Sequence, residues 1–109
     1  HLVRRVPVGR KIVDAILDIV RAGRPEISDL EDVRKHVFWG PGPRASQALM
    51  MAARARAVID GRLSPSLEDV IALAHPVLRH RMALTFAARA EGVTLGYVID
   101  QLCDRVSSE

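Results

Sequence analysis

An all-α fold, an irregular bundle of five or six short helices, is predicted by three observations. Apolar residues recur at helical spacing in successive stretches of the chain. Each stretch is punctuated by glycine or proline, or opens on a capping residue. No stretch alternates apolar and polar residues as a half-buried strand does. The length, 109 residues, suits one domain with a single core. Hydrophobic residues make up 49% and aromatic residues only 4%, so that core must be built from Ala, Val, Ile, Leu and Met.

The opening "HLVRRVP", residues 1–7, reads as a linker from something upstream, and the helical domain is expected over residues 8–107. The chain begins with His1 rather than Met, which reads as a piece of a longer protein. From Val8 or Gly9 the spacing turns helical. Ile12, Val13, Ile16, Leu17 and Val20 form one stripe, and Gly23 and Pro25 end the helix. In "SDLEDVRKHV", Ser28 and Glu31 have the spacing of a capping box for a short second helix. "WGPGP" must break that helix. The third helix opens at Pro43, where a missing N–H costs nothing, and runs to about Asp60 before Gly61. Its alanines allow close approach of neighbours, with Leu49, Met50, Val58 and Ile59 as filling. Ser66 is the expected N-cap of the fourth helix, with Glu68 and Asp69 in its first turn. Pro76 is expected to interrupt it. "MALTF" is ambiguous between an extended piece and a helix running into "AARAEG", which Gly92 stops. Thr94 caps the last helix, whose stripe is Leu95, Val98, Ile99, Leu102 and Val106. "SSE" reads as a frayed end.

Several function classes are disfavoured. No apolar run approaches the ~20 residues of a membrane span, and no signal-peptide pattern is present. With one cysteine, Cys103, there is no internal disulfide, and a reducing cytoplasm fits. That thiol reads as half-buried and inert. The four histidines show no metal-ligand spacing with Cys103 or a carboxylate. No phosphate loop of the Gly-x-x-x-x-Gly-Lys-Ser/Thr type occurs, so the chain alone should catalyse nothing. Net charge is +3, and 14 of the 16 basic residues are arginine. A GC-rich gene explains the arginine bias more simply than a phosphate partner does.

The stretch "GPGPRA", residues 40–45, stands out. A helix N-terminus carries unpaired N–H groups and partial positive charge, so it seats anions. Pro43 fixes the start of the helix. Gly40 and Gly42 are read as letting the entering backbone turn. Arg44 sits in the first helical turn, where a cation opposes the helix dipole. An arginine there is better explained by an anion than by chance.

Taken together, "GPGPRA", "PVLRHR" at Pro76–Arg81, "IVRAGRP" at residues 19–25 and "AEG" at residues 90–92 resemble the C-terminal lid domain of MoxR-type AAA+ ATPases. The resemblance spans about Val6 to Val106. It departs from the family pattern at Pro41, where alanine is usual, and at Gly23, where threonine is usual. The resemblance implies a lid closing over ATP with Mg2+ bound to an upstream α/β domain of the same chain. It implies that Arg44 is the sensor 2 arginine, contacting the β/γ-phosphate during hydrolysis, with Gly40, Gly42 and Pro43 beside it in the nucleotide site. The metal would be held by the upstream domain. Further implications are a homo-oligomeric ring, usually a hexamer, chaperone-like maturation of protein complexes, and von Willebrand factor A domain proteins as partners.

Other residues stay open. Arg79, His80 and Arg81 suit either an inner-face or ring-interface role, or structural pairing with Glu68, Asp69 or a chain end. Arg54, Arg56 and Arg62 read as a solvated face, with Asp60 spaced to pair with Arg56. Phe38 and Trp39 read as core anchors for the glycine loop, stacking on adenine being the weaker alternative. The rival functions are a small basic nucleic-acid-binding domain and a protein-interaction module. Interspersed acidic residues and scarce aromatics count against the first.

Overall fold

The computed structural model describes residues 9–107. The expected linker, residues 1–7, and the end of the "SSE" tail, residues 108–109, lie outside them. Among the described residues there are six helices: α1 Arg10–Ala22, α2 Glu31–His36, α3 Pro43–Ile59, α4 Leu67–Leu78, α5 Phe86–Ala90 and α6 Leu95–Ser107. Two short strands, β1 Val37–Trp39 and β2 Ala83–Leu84, pair antiparallel. The fold is the all-α bundle that the spacing predicts. The ribbon is an addition to it, because three- and two-residue strands are too short to show alternation.

The core forms where α1, α3, α4 and α6 meet. Ile16, Ile19, Leu49, Val70, Leu78, Ile99 and Leu102 are all fully buried there. The buried face of α3 is Ala45, Leu49, Ala53 and Ala57, a row at four-residue spacing. Three of the four are alanine, so α4 can pack against it along its length. Leu17 departs from its expected stripe and is 45% exposed, with Ile19 taking the inward position. Ile59 is also exposed rather than filling.

Helix ends follow local chemistry, with two corrections. Ser28 does not cap α2. Its hydroxyl donates to the Ala22 carbonyl at 2.6 Å and accepts from the Leu30 N–H, tying the end of α1 to the start of α2. Leu30 takes the N-cap position instead. Pro76 does not interrupt α4, which continues to Leu78. The proline forfeits one backbone hydrogen bond and its ring crowds the carbonyl four residues before it, a cost the helix carries for its last two residues without ending. Gly61 and Gly92, with φ of +75° and +86°, end α3 and α5. After α3 the Arg62 N–H reaches the Ala57 carbonyl and the Gly61 N–H the Val58 carbonyl, the Schellman pattern that favours glycine. Thr85 caps α5 through the Ala88 N–H at 3.0 Å, and Thr94 caps α6 through the Tyr97 N–H at 3.2 Å.

A charged clamp joins α3 to α4. The Asp69 carboxylate is fully buried. It accepts from Arg56 Nη1 at 2.6 Å, from Arg62 Nη1 and Nη2 at 2.7 and 2.6 Å, and from the Ser66 N–H at 2.7 Å. Arg62 also holds Asp60 at 2.9 Å. Arg56 and Arg62 are therefore not a free solvated face, and Asp60 pairs with Arg62 rather than with Arg56. Arg54 is half-buried, and its Nε has no hydrogen-bond partner among the described residues. The Arg62 guanidinium holds the Asp69 carboxyl well below the usual carboxylate range, and this outweighs the opposing effect of burial.

Two outcomes follow from the clamp. Asp69→Ala should cost about 2–4 kcal/mol in urea unfolding, since charge-assisted bonds and a helix cap are lost together while both arginines can turn to water. Removing both arginines should cost about 3–5 kcal/mol, because a buried carboxylate is left without a cation. The pH dependence has a definite sign. Asp69 titrates lower when folded than when unfolded, so its contribution is complete above the unfolded value of about 4 and is lost as pH falls below it. Acid-induced loss of stability in this range should be visibly smaller in Asp69→Asn. An identical acid profile in both proteins would remove Asp69 as its cause.

Candidate functional site

The loop Gly40–Gly42 carries the chain from β1 into α3. Its conformation is not left-handed: among the described residues only Gly61 and Gly92 have positive φ. The expectation that Gly40 and Gly42 serve as turn formers is thus corrected. Gly40 is needed for close approach. A Cβ there would lie 2.7 Å from the Gly23 carbonyl oxygen, 2.8 Å from Arg24 Cα and 3.0 Å from Pro25 Cδ. The backbone of the loop therefore packs directly on the turn that ends α1. Gly42 has open space around it, an extended backbone, and the N-cap position of α3.

Pro41 is fully buried between these layers. A Cβ on Gly23 would come within 3.1 Å of Pro41 Cγ and Cδ and 3.3 Å of Leu102 Cδ1. The two departures from the family pattern, Pro41 and Gly23, therefore lie against each other. The ring at position 41 fills space that a side chain at position 23 would need.

This packing sets the start of α3. Pro43 occupies its first turn, no side chain caps it, and no acidic residue lies in that turn. The Ser46 hydroxyl turns back to the Pro43 carbonyl at 2.8 Å. Arg44 is exposed and forms no hydrogen bond or ion pair among the described residues. A groove of about 330 Å³ runs beneath the helix start, lined in part by Leu17, Arg21, Arg24, Gly42 and Ser46. Arg24 in that groove is held by Glu26 at 2.8 Å, and the same bond draws the Glu26 carboxyl below its ordinary value. The structure thus brings Gly42, Pro43 and Arg44 together at one helix end. It assigns Gly40 to the packing that holds them.

The remaining candidates fall elsewhere. Arg81 Nη1 donates to the Val77 carbonyl at 3.1 Å, and Arg79 and His80 are exposed. Neither arginine pairs with Glu68 or Asp69 among the described residues. Cys103 is buried, and desolvation, aided by Asp100 and Asp104, pushes its thiol up to about 11, so it is a poor nucleophile. Phe38 and Trp39 are 76% and 57% exposed, which overturns their reading as core anchors. Pro41 does the anchoring instead. Among the described residues no group of three His, Cys, Asp or Glu side chains could hold a metal ion, and no helix is long and apolar enough to cross a membrane. The Asp69 clamp was missed in the sequence. The available signal was an aspartate three residues after Ser66, the acidic position of a capping box.

The packing of positions 23, 40 and 41 is testable by stability. Gly40→Ala should cost about 1–3 kcal/mol, since its Cβ would meet backbone atoms that cannot turn aside. Gly23→Thr should cost a similar amount alone and markedly less when combined with Pro41→Ala. Strict additivity in that double-mutant cycle would show that the two positions do not share space.

Comparison with known proteins gives the family of the fold. The model of the AAA lid domain family matches residues 30–102. Chaperone MoxR1 of Mycobacterium tuberculosis is 37% identical over 101 residues, covering 92% of this chain and 27% of the relative. The chain thus spans about a quarter of that relative's length. A crystal structure of a candidate ATPase from Cytophaga hutchinsonii superposes with a TM-score of 0.86 at 27% identity, covering 93% of this chain and 31% of that one. The chain belongs to the AAA lid domain family, in the form carried by MoxR-type AAA+ ATPases.

Proposed function

We propose that this domain closes over ATP bound to an upstream α/β domain of the same chain, and that Arg44 is its sensor 2 arginine. One observation carries the reading. Arg44 is an unengaged guanidinium in the first turn of a 17-residue helix whose N-terminus lacks both a side-chain cap and an acidic residue. Helix dipole and guanidinium then act together on one anion. As the γ-phosphate departs, charge spreads onto its oxygens, and a positioned arginine stabilises that charge. Gly42 leaves the approach open, and Pro43 fixes the backbone at the helix start, leaving the later first-turn N–H groups and Arg44 as the donors. Gly40 and Pro41 hold the helix start in place.

The wider reading follows from the family. Mg2+ arrives with the nucleotide and is held by the upstream domain, to which residues 1–7 are the linker. Hydrolysis drives a homo-oligomeric ring, a hexamer by family habit, in chaperone-like maturation of protein complexes in the cytoplasm. Proteins with von Willebrand factor A domains are the expected partners. Arg79 and Arg81 remain candidates for an interface within that ring.

ATP turnover of the full-length protein should fall about tenfold to a thousandfold in Arg44→Ala, with circular dichroism unchanged. Arg44→Lys should recover only part of the rate, because a point charge replaces a fork. Unchanged turnover in a folded Arg44→Ala protein would end the sensor assignment and leave only the lid.

A further inference from the structure

None of the four aromatic side chains of this chain belongs to the core. Phe38, Trp39, Phe86 and Tyr97 are 76%, 57%, 87% and 51% exposed. Three of them sit on or beside the β1–β2 ribbon. Pairing steps from Val37↔Leu84 to Trp39↔Ala83, so Phe38 is an extra residue on β1 and forms a bulge. In a regular strand Trp39 would return to the side of buried Val37. The bulge breaks that alternation, and burial along β1 runs buried, exposed, exposed. Phe86 opens α5 two residues after β2 ends. The Thr85 N–H donates to the His36 carbonyl at 2.8 Å, which holds that end of the ribbon closed.

Cations outnumber carboxylates on and beside the same elements, although Glu31 lies one helical turn before Lys35 and Glu91 two residues after Arg89. No Asp or Glu occurs from Val33 to Ile59 or from Val70 to Ala90. The ribbon joins these two acid-free segments. Exposed Lys35 and Arg89 flank its His36–Thr85 end, and exposed Arg79 and His80 precede β2 at the other. The nearest carboxylates in sequence are Asp32 and Glu91, and Asp32 already accepts from Gln101 at 2.7 Å. Aromatic side chains with cationic neighbours are the composition of binding hot spots. An excess of cations around the aromatics favours a partner that carries carboxylates.

We propose that this bulged ribbon is a docking surface for an acidic protein segment. Apolar side chains of the segment seat against Phe38, Trp39 and Phe86, and its carboxylates meet the cations at the two ends of the ribbon. A single-stranded nucleic acid fits less well. It needs stacking platforms spaced along a continuous basic track, whereas here the two strand aromatics are adjacent on one bulge and the cations lie at the ends. The proposal is independent of the role of Arg44.

The test uses the full-length protein and a fluorescein-labelled peptide with a central Leu-Phe pair between runs of glutamate. Fluorescence anisotropy should show binding that weakens steeply with salt. Trp39→Ser and, separately, the pair Lys35→Glu with Arg89→Glu should each weaken it at least about tenfold, with unchanged circular dichroism. Peptide affinity indifferent to both variants would overturn the proposal. So would equal or tighter binding of oligo-dT, which would give the surface to nucleic acid. Protection of Phe38 and Trp39 from hydroxyl-radical labelling in the free full-length protein would also overturn it, because the rest of the chain would then be the occupant.

Discussion

At position 40 there is room for a hydrogen atom and for no side chain. The carbonyl of Gly23 and the Cα of Arg24 lie where a Cβ would go. This backbone-to-backbone approach fixes the distance between the end of α1 and the start of α3. Pro41 then fills the gap that the approach leaves, resting on Gly23 and shielded from water. Leu102 of α6 reaches the same spot, so three helices set the position of one loop. Everything that α3 presents at its N-terminus inherits that placement.

The two ends of α3 are handled in opposite ways. Its C-terminus is closed by Gly61 and clamped to α4 through Asp69, with every carboxylate oxygen engaged. Its N-terminus has no cap and no counter-charge, only Pro43 and a free arginine. A helix end without partners is stable when solvent or a ligand supplies them. The rigid end secures the helix as a lever, and the open end is where an incoming anion would make a difference in energy.

The ribbon serves a separate purpose in the fold. It closes the small α2–α5 corner, with Val37 turned inward and Met82 buried just before β2. The bulge at Phe38 lets the same short strand point two aromatic side chains outward. Packing and surface chemistry are thus divided between neighbouring residues of one strand.

Periodicity and capping chemistry made the helices legible. Ile16, Val20, Leu49, Leu102 and Val106 follow local rules, because a helix repeats every few residues and its apolar face shows in the spacing alone. Gly61, Gly92, Thr94 and Pro43 mark ends for equally local reasons. Arg44 stood out because a cation in a first turn opposes the dipole of its own helix. Tertiary structure decided whatever depended on residues distant in sequence. Ser28 bonds to the end of α1 instead of capping α2, and Arg56 and Arg62 converge on Asp69 only once α3 and α4 are packed together. Gly40 reads as a turn former until Gly23 is seen against it. Phe38 and Trp39 read as core until the bulge turns them to solvent. Each of these is a contact or an orientation set by a partner on another element, and hydrophobic spacing within one segment carries no record of that partner.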